Sequence, residues 1–100
     1  MMLLTKADAS RLPKLYAQDG KGADAIAYVK FFCPYADMRW YATEFDGEDM
    51  FFGLVQNGDI TELGYWTLSE MKDARVFGSV PAIERDKFFE PATLHELGLM

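Results

Sequence analysis

The stretch WYATEFDGEDMFFGLVQNGDITELGYW, residues 40–66, decides the fold. Three runs of β-branched, aromatic and other apolar residues are separated by two short polar clusters, the pattern of strands joined by hairpins. Asn57-Gly58 is a strong hairpin signal, because both residues tolerate the positive φ of a type I′ turn. With these two as the loop, Leu54 faces Thr61, Phe52 faces Leu63 and Met50 faces Tyr65. In the first hairpin, a two-residue loop at Asp46-Gly47 would set Glu44 opposite Asp49, and like charges across a ladder are destabilising. A four-residue loop over 46–49 instead places Glu44 opposite Phe51, and is the preferred register.

Side chains alternate along each strand, so both faces of this meander can be written down. One face carries Tyr41, Thr43, Phe45, Met50, Phe52, Leu54, Thr61, Leu63 and Tyr65, and reads as the core face. The other carries Trp40, Val55 and Ile60, then Ala42, Gly53 and Glu62, then Glu44, Phe51 and Gly64. This second face is mixed, too apolar to be merely solvated and too charged for an ordinary core. In that register Trp40, Phe51 and Trp66 cannot all join the main core. They either pack under a terminal helix or form a binding patch, since exposed aromatics ringed by polar groups mark interfaces.

Outward from the meander, residues 26–33 (IAYVKFFC) form a further strand closed by Pro34. Thr5 is placed to cap a helix over 5–16, with Pro13 ending it or kinking its last turn. Thr67-Leu68-Ser69-Glu70 is a capping box for a helix over 67–75, and Thr93-Leu94-His95-Glu96 is another for a short helix over 93–98. Residues 84–90 (ERDKFFE) are compatible with an edge strand, where alternating charge discourages intermolecular pairing. Strands grouped together and flanked by helices indicate an α+β fold, and 100 residues that are 50% apolar suit one domain.

The net charge of −6 is unevenly placed. Between Trp40 and Met71 lie seven carboxylates (Glu44, Asp46, Glu48, Asp49, Asp59, Glu62, Glu70) and no Lys, Arg or His, while the rest of the chain has nine acids and ten bases. Direct nucleic-acid binding needs a basic stripe, and the segment offers the opposite. The apolar runs fall far short of the roughly 20 residues that cross a bilayer. A soluble, cytoplasmic protein without a targeting segment is the expectation, and the lone Cys33 fits a reducing compartment.

Residue by residue, the chemistry on offer is sparse. Asp46-Gly47-Glu48-Asp49 lacks the ligand spacing of an EF-hand calcium loop, and acids crowded on one turn do not make an acid/base pair across a cleft. Cys33 would need a base to act as a nucleophile, and the sole histidine, His95, is remote in the chain. In a strand Arg85 points away from Glu84 and Asp86, which gives it a structural role toward a carboxylate elsewhere. No metal or other cofactor is expected, and no catalytic residue is assigned.

Seven blocks carry a resemblance over nearly the whole chain. They are Leu4-Thr5-Lys6, Leu12-Pro13-Lys14-Leu15-Tyr16, Val29-Lys30-Phe31-Phe32, Trp40-Tyr41-Ala42-Thr43-Glu44-Phe45-Asp46-Gly47, Phe51-Phe52-Gly53-Leu54-Val55, Glu62-Leu63-Gly64-Tyr65 and Ile83-Glu84-Arg85-Asp86. In this order they resemble the bacterial and phage family called domain of unknown function 2958. A Thr-Pro pair usually follows Phe-Phe in that family, and Cys33 stands here in place of the Thr. The resemblance implies an accessory protein of plasmids, integrative elements or phages, and supplies no catalytic residues.

The leading expectation is a non-enzymatic acidic protein that docks on a basic protein partner through Glu44, Asp46, Glu48, Asp49 and Glu62, helped by Trp40, Phe51 and Trp66. One version is a host-defence inhibitor of the anti-CRISPR or anti-restriction type, in which a carboxylate strip through Glu44 and Glu62 occupies a nucleic-acid channel. The alternative is a small enzyme with a pocket on the mixed face, using Glu44, Glu62 or Arg85. A third possibility is a structural subunit that dimerises through Trp40, Val55 and Ile60, so the expected state is a monomer or a homodimer.

Overall fold

The computed structural model describes residues 2–100. Thr5 caps helix α1 (Lys6–Arg11) by accepting from the Asp8 N–H. The helix stops well short of residue 16, because Leu12 precedes Pro13 and takes an extended backbone. The expected strand over 26–33 is two pieces, β1 (Ile26–Ala27) and β2 (Val29–Cys33). The meander follows as β3 (Met38–Phe45), β4 (Met50–Asn57) and β5 (Ile60–Thr67).

Thr67 then caps α2 (Leu68–Asp73) by accepting from the Glu70 N–H. A small hairpin of β6 (Arg75–Val76) and β7 (Val80–Pro81) occupies a region expected to be loop. β8 is reduced to Glu84–Arg85, and β9 (Ala92–Thr93) pairs with β1. Thr93 and Glu96 form a reciprocal capping box, but it closes a turn and not the helix expected over 93–98. The main sheet is antiparallel in the order β5-β4-β3-β2-β8, an α+β architecture built on a β-meander.

Both hairpin registers differ from expectation in ways that matter. The β4–β5 loop is Gly58-Asp59, with Asn57 opposite Ile60 and Leu54 opposite Leu63. Gly58 has φ 61 and Asp59 is not in the positive-φ region, the signature of a type II′ turn with Gly at its first central position. Because the partner shifts by two residues, the faces of β5 are unchanged. In the β3–β4 hairpin the register slips by one residue between Ala42 and Glu44, a β-bulge at Thr43, so that Glu44 faces Phe52 and Phe45 faces Phe51. That single extra residue exchanges the faces of Glu44 and Phe45.

The main core consequently forms on the face that strict alternation reads as mixed. Phe31, Ala42, Phe45, Phe51, Trp66, Leu68 and Met71 pack there, with Trp40 and Val55 partly buried against them. Phe51 is at the centre, stacked on Phe45 at 4.5 Å and on Trp66 at 5.5 Å between ring centroids. The N-terminal segment and α2 supply the cover, through Leu3, Leu4, Ala9, Leu12, Leu68 and Met71. The opposite face, expected to be the core, is covered around Tyr41 and Leu54, where Ala25, Ala27 and the C-terminal Leu94 close over it, and at Glu44, where residues 16–18 do. Toward β5 it is open, and Leu63 and Tyr65 are exposed.

Candidate functional site

Glu44 is the first of the sequence candidates to be redefined. Its side chain is 3% exposed and accepts from two backbone N–H groups of the preceding loop, Tyr16 at 2.7 Å and Gln18 at 2.8 Å. Tyr16 adopts φ 72 to present its N–H. Gln18, itself buried, ties the same loop to the sheet by donating to the carbonyls of Ile26 and Thr43 and accepting from the Ile26 N–H. Glu44 is thus the anchor of residues 16–18, with both oxygens engaged, and it is not available to a partner. Its neighbour Tyr65 has a pKa raised above the usual phenol range, first by the adjacent Tyr16 and further by desolvation and the Glu44 and Asp19 carboxylates.

The conspicuous acidic turn is mostly self-contained. Asp46 Oδ1 accepts from the N–H groups of Glu48, Asp49 and Met50, and Asp49 accepts from the N–H and hydroxyl of Ser69 at the start of α2. Those backbone donors, Glu48 foremost, lower the Asp46 pKa. A group whose folded pKa is depressed stabilises the fold above its unfolded pKa, and the contribution is lost as pH falls through the folded value. Asp46→Ala is therefore expected to lower the melting temperature at neutral pH, with the gap to wild type narrowing below about pH 4. Thermal melts of both proteins from pH 7 to pH 2 check this.

Of the aromatic candidates, Phe51 at 0% and Trp66 at 7% exposure are core residues, and Trp40 is partly buried beside them. The Trp66 Nε1 donor has no hydrogen-bond partner among the described residues. Glu62 is exposed opposite Val55, whereas Glu44 lies opposite Phe52. Residues 52 and 55 of one strand point to opposite faces, so Glu44 and Glu62 are on opposite sides of the sheet. The carboxylate strip expected through both does not form, and the mixed-face pocket of the enzymatic alternative is filled by the main core.

What remains at the surface is β5. It is the sheet's outer strand, and it exposes Ile60 (62%), Leu63 (49%) and Tyr65 (53%) together with Glu62 and the turn residue Asp59. Glu48, Asp59 and Glu62 make no side-chain hydrogen bond or ion pair among the described residues. Leu63 and Tyr65 sequence reasoning placed in the core; the signal for their exposure was the shortage of chain left to cover a second face.

Two clefts lie away from these residues. An apolar one of about 540 Å³ is bounded by Leu3, Met71, Pro81 and Ile83, with Lys72 and Glu84 at its rim. A polar one of about 240 Å³ contains Asp8, Arg11, Arg85 and Asp86. Asp8 pairs with Arg11 at 2.8 Å and with Arg85 at 3.5 Å, while Asp86 pairs at 3.7 Å with Lys30, which lies outside the cleft. Burial opposes ionisation of Asp8, but the Thr5 and Arg11 hydrogen bonds and the charges of Arg85 and Arg11 outweigh it and lower its pKa. Arg85 serves the structural role that strand alternation implies. His95 faces the Met100 carbonyl at 3.3 Å. Among the described residues no group of three or more His, Cys, Asp or Glu is arranged to hold a metal ion, and no helix is long and apolar enough to cross a membrane.

Fold and surface together define a small α+β protein with a meander sheet, a buried anchoring carboxylate and one long open edge. The chain belongs to the family described as "Protein of unknown function (DUF2958)", whose model matches residues 3–97. Comparison with curated proteins and with solved structures found no match.

Proposed function

We propose that the protein is a non-enzymatic binding protein that docks on a basic surface of a protein partner, as an accessory factor of mobile genetic elements. The observation that carries this reading is the asymmetry of the meander. Its exposed carboxylates Glu48, Asp59 and Glu62 sit in a segment with no Lys, Arg or His between Trp40 and Met71, beside exposed Ile60, Leu63 and Tyr65. Like-signed exposed charge steers an oppositely charged partner, and adjoining apolar area supplies affinity once the two meet. Inhibition of a host-defence protein that binds nucleic acid is the form that best suits an acidic ligand. It would act by covering basic residues, without a continuous phosphate-like strip.

Affinity capture from a host lysate tests the reading, comparing wild type with a Glu48→Lys/Asp59→Lys/Glu62→Lys variant. The expected result is a basic partner held at low salt, released at high salt and absent from the variant. A partner retained equally by the variant, or none at either salt, would sink it.

A further inference from the structure

The two edges of the main sheet are very different. β8 is two residues long, whereas β5 runs for eight with a regular register against β4, and no strand among the described residues lies beyond it. A two-residue loop makes Asn57 and Ile60 a hydrogen-bonded pair, and the ladder alternates from there. Ile60, Glu62, Gly64 and Trp66 therefore turn their N–H and C=O groups toward β4, and the Leu68 N–H bond to the Asp49 carbonyl at 2.8 Å continues the alternation. Thr61, Leu63 and Tyr65 turn theirs outward. None of these outward groups bonds to another described residue.

We propose that this edge is the docking site and that it takes an extended basic segment of the partner as a sixth, antiparallel strand. The inference rests on the basic-partner reading and specifies its mode. An added strand would exchange main-chain hydrogen bonds with Thr61, Leu63 and Tyr65, and its side chains would alternate between faces. On the main-core side it meets Glu62 and Gly64. Glu62 calls for Lys or Arg, and nothing lies within 4 Å of where a Gly64 Cβ would be, which leaves room for a long basic side chain to lie flat. On the other side it meets Thr61, Leu63 and Tyr65, which favour β-branched or apolar residues. The segment recognised thus alternates basic and apolar. A second copy is the poorer occupant, because pairing β5 with itself brings two Glu62 and two Asp59 carboxylates to one seam between chains of net charge −6.

A synthetic peptide of about ten residues alternating lysine and valine is the probe, with a block isomer of the same composition as its control. The alternating peptide should bind and slow amide exchange at Thr61, Leu63 and Tyr65 by about tenfold or more, and the block isomer should bind about tenfold more weakly. Leu63→Pro removes an outward donor while sparing every bond to β4, and Pro is tolerated at such edge positions. It should weaken the alternating peptide about tenfold, as should Glu62→Lys, which leaves the edge backbone intact. Equal binding of both peptides, or unchanged exchange at the three amides on binding, overturns strand addition while the basic-partner reading stands. Binding of neither peptide by wild type overturns both. A peptide-free dimer that Leu63→Pro dissociates would assign the edge to a second copy and overturn the proposal. The exchange measurement uses the unaltered protein, so poor folding of Leu63→Pro leaves the test intact.

Discussion

Replacing Gly53 with alanine is expected to cost more than about 3 kcal/mol and to lower the melting temperature by about 12 °C or more. Gly53 is buried in β4 opposite Ala42, immediately before the register slip at Thr43. A Cβ there would lie 2.0 Å from the Tyr41 carbonyl oxygen, 3.0 Å from its carbon and 3.1 Å from the Ala42 Cα. All three are backbone atoms, so no rotamer change relieves the clash and β3 must move away from β4. That separation would disturb the bulge that sends Phe45 into the core and Glu44 to the other face. Gly64, directly across the ladder on β5, is the matched control, since a Cβ there meets nothing within 4 Å. Gly64→Ala is expected to be neutral or stabilising by about 0.5 kcal/mol. Paired thermal and urea melts decide the point, and similar losses at the two glycines would show that close backbone approach is not what Gly53 provides.

The second large effect is expected at Glu44. Removing its carboxylate in Glu44→Ala strands the N–H groups of Tyr16 and Gln18, and an unsatisfied buried donor costs about 1–3 kcal/mol. A loss of about 3 kcal/mol overall, or about 12–24 °C in melting temperature, follows. Glu44→Gln should fall between wild type and alanine, because its carbonyl oxygen serves one donor while its amide group confronts the other. A residue retained for catalysis would behave in the opposite way, with stability nearly intact in Glu44→Gln. Amide exchange would show which segment responds: the Tyr16 and Gln18 amides should lose protection before the β3–β4 ladder does.

Much of the architecture was legible in the chain, because it rests on local signals. The apolar runs over 40–66, the polar turns between them, and the Thr5 and Thr67 caps each depend on a few consecutive residues. Their order placed the meander and the helix that follows it within a few residues of the observed bounds, whereas the first helix ends at Arg11 and not at residue 16, and the one expected over 93–98 is a turn. Asp46 was also recognisable as a turn residue, since its side chain accepts from the backbone N–H groups of Glu48, Asp49 and Met50.

The identity of the core face was not legible in this way. It turns on which face the terminal segments cover and, in part, on one inserted residue at Thr43, because a bulge leaves period-two alternation intact on each side of itself while reversing it across, which brings Phe45 onto the face of Phe51 and takes Glu44 off it. A local hint was Gly53, a glycine inside a strand pattern, which signals a bulge or close backbone approach, although Gly64 gives the same signal with neither. Without the bulge Glu44 falls on the mixed face and looks available to a partner. With it, Glu44 reaches back across the chain to residues 16 and 18, a pairing set by three-dimensional proximity over 28 and 26 positions.

The sequence by itself determined the three strands of the meander, the approximate places of its two turns and the strong acidity of the central segment, since composition and short-range patterning suffice for these. Only the tertiary structure decided which carboxylates are spent within the fold and which face solvent, because that depends on register and on where the terminal segments lie. N-terminal chain and α2 cover one face of the meander, and the C-terminal segment covers only part of the other. β5 is left as an open edge because no further strand among the described residues pairs with it.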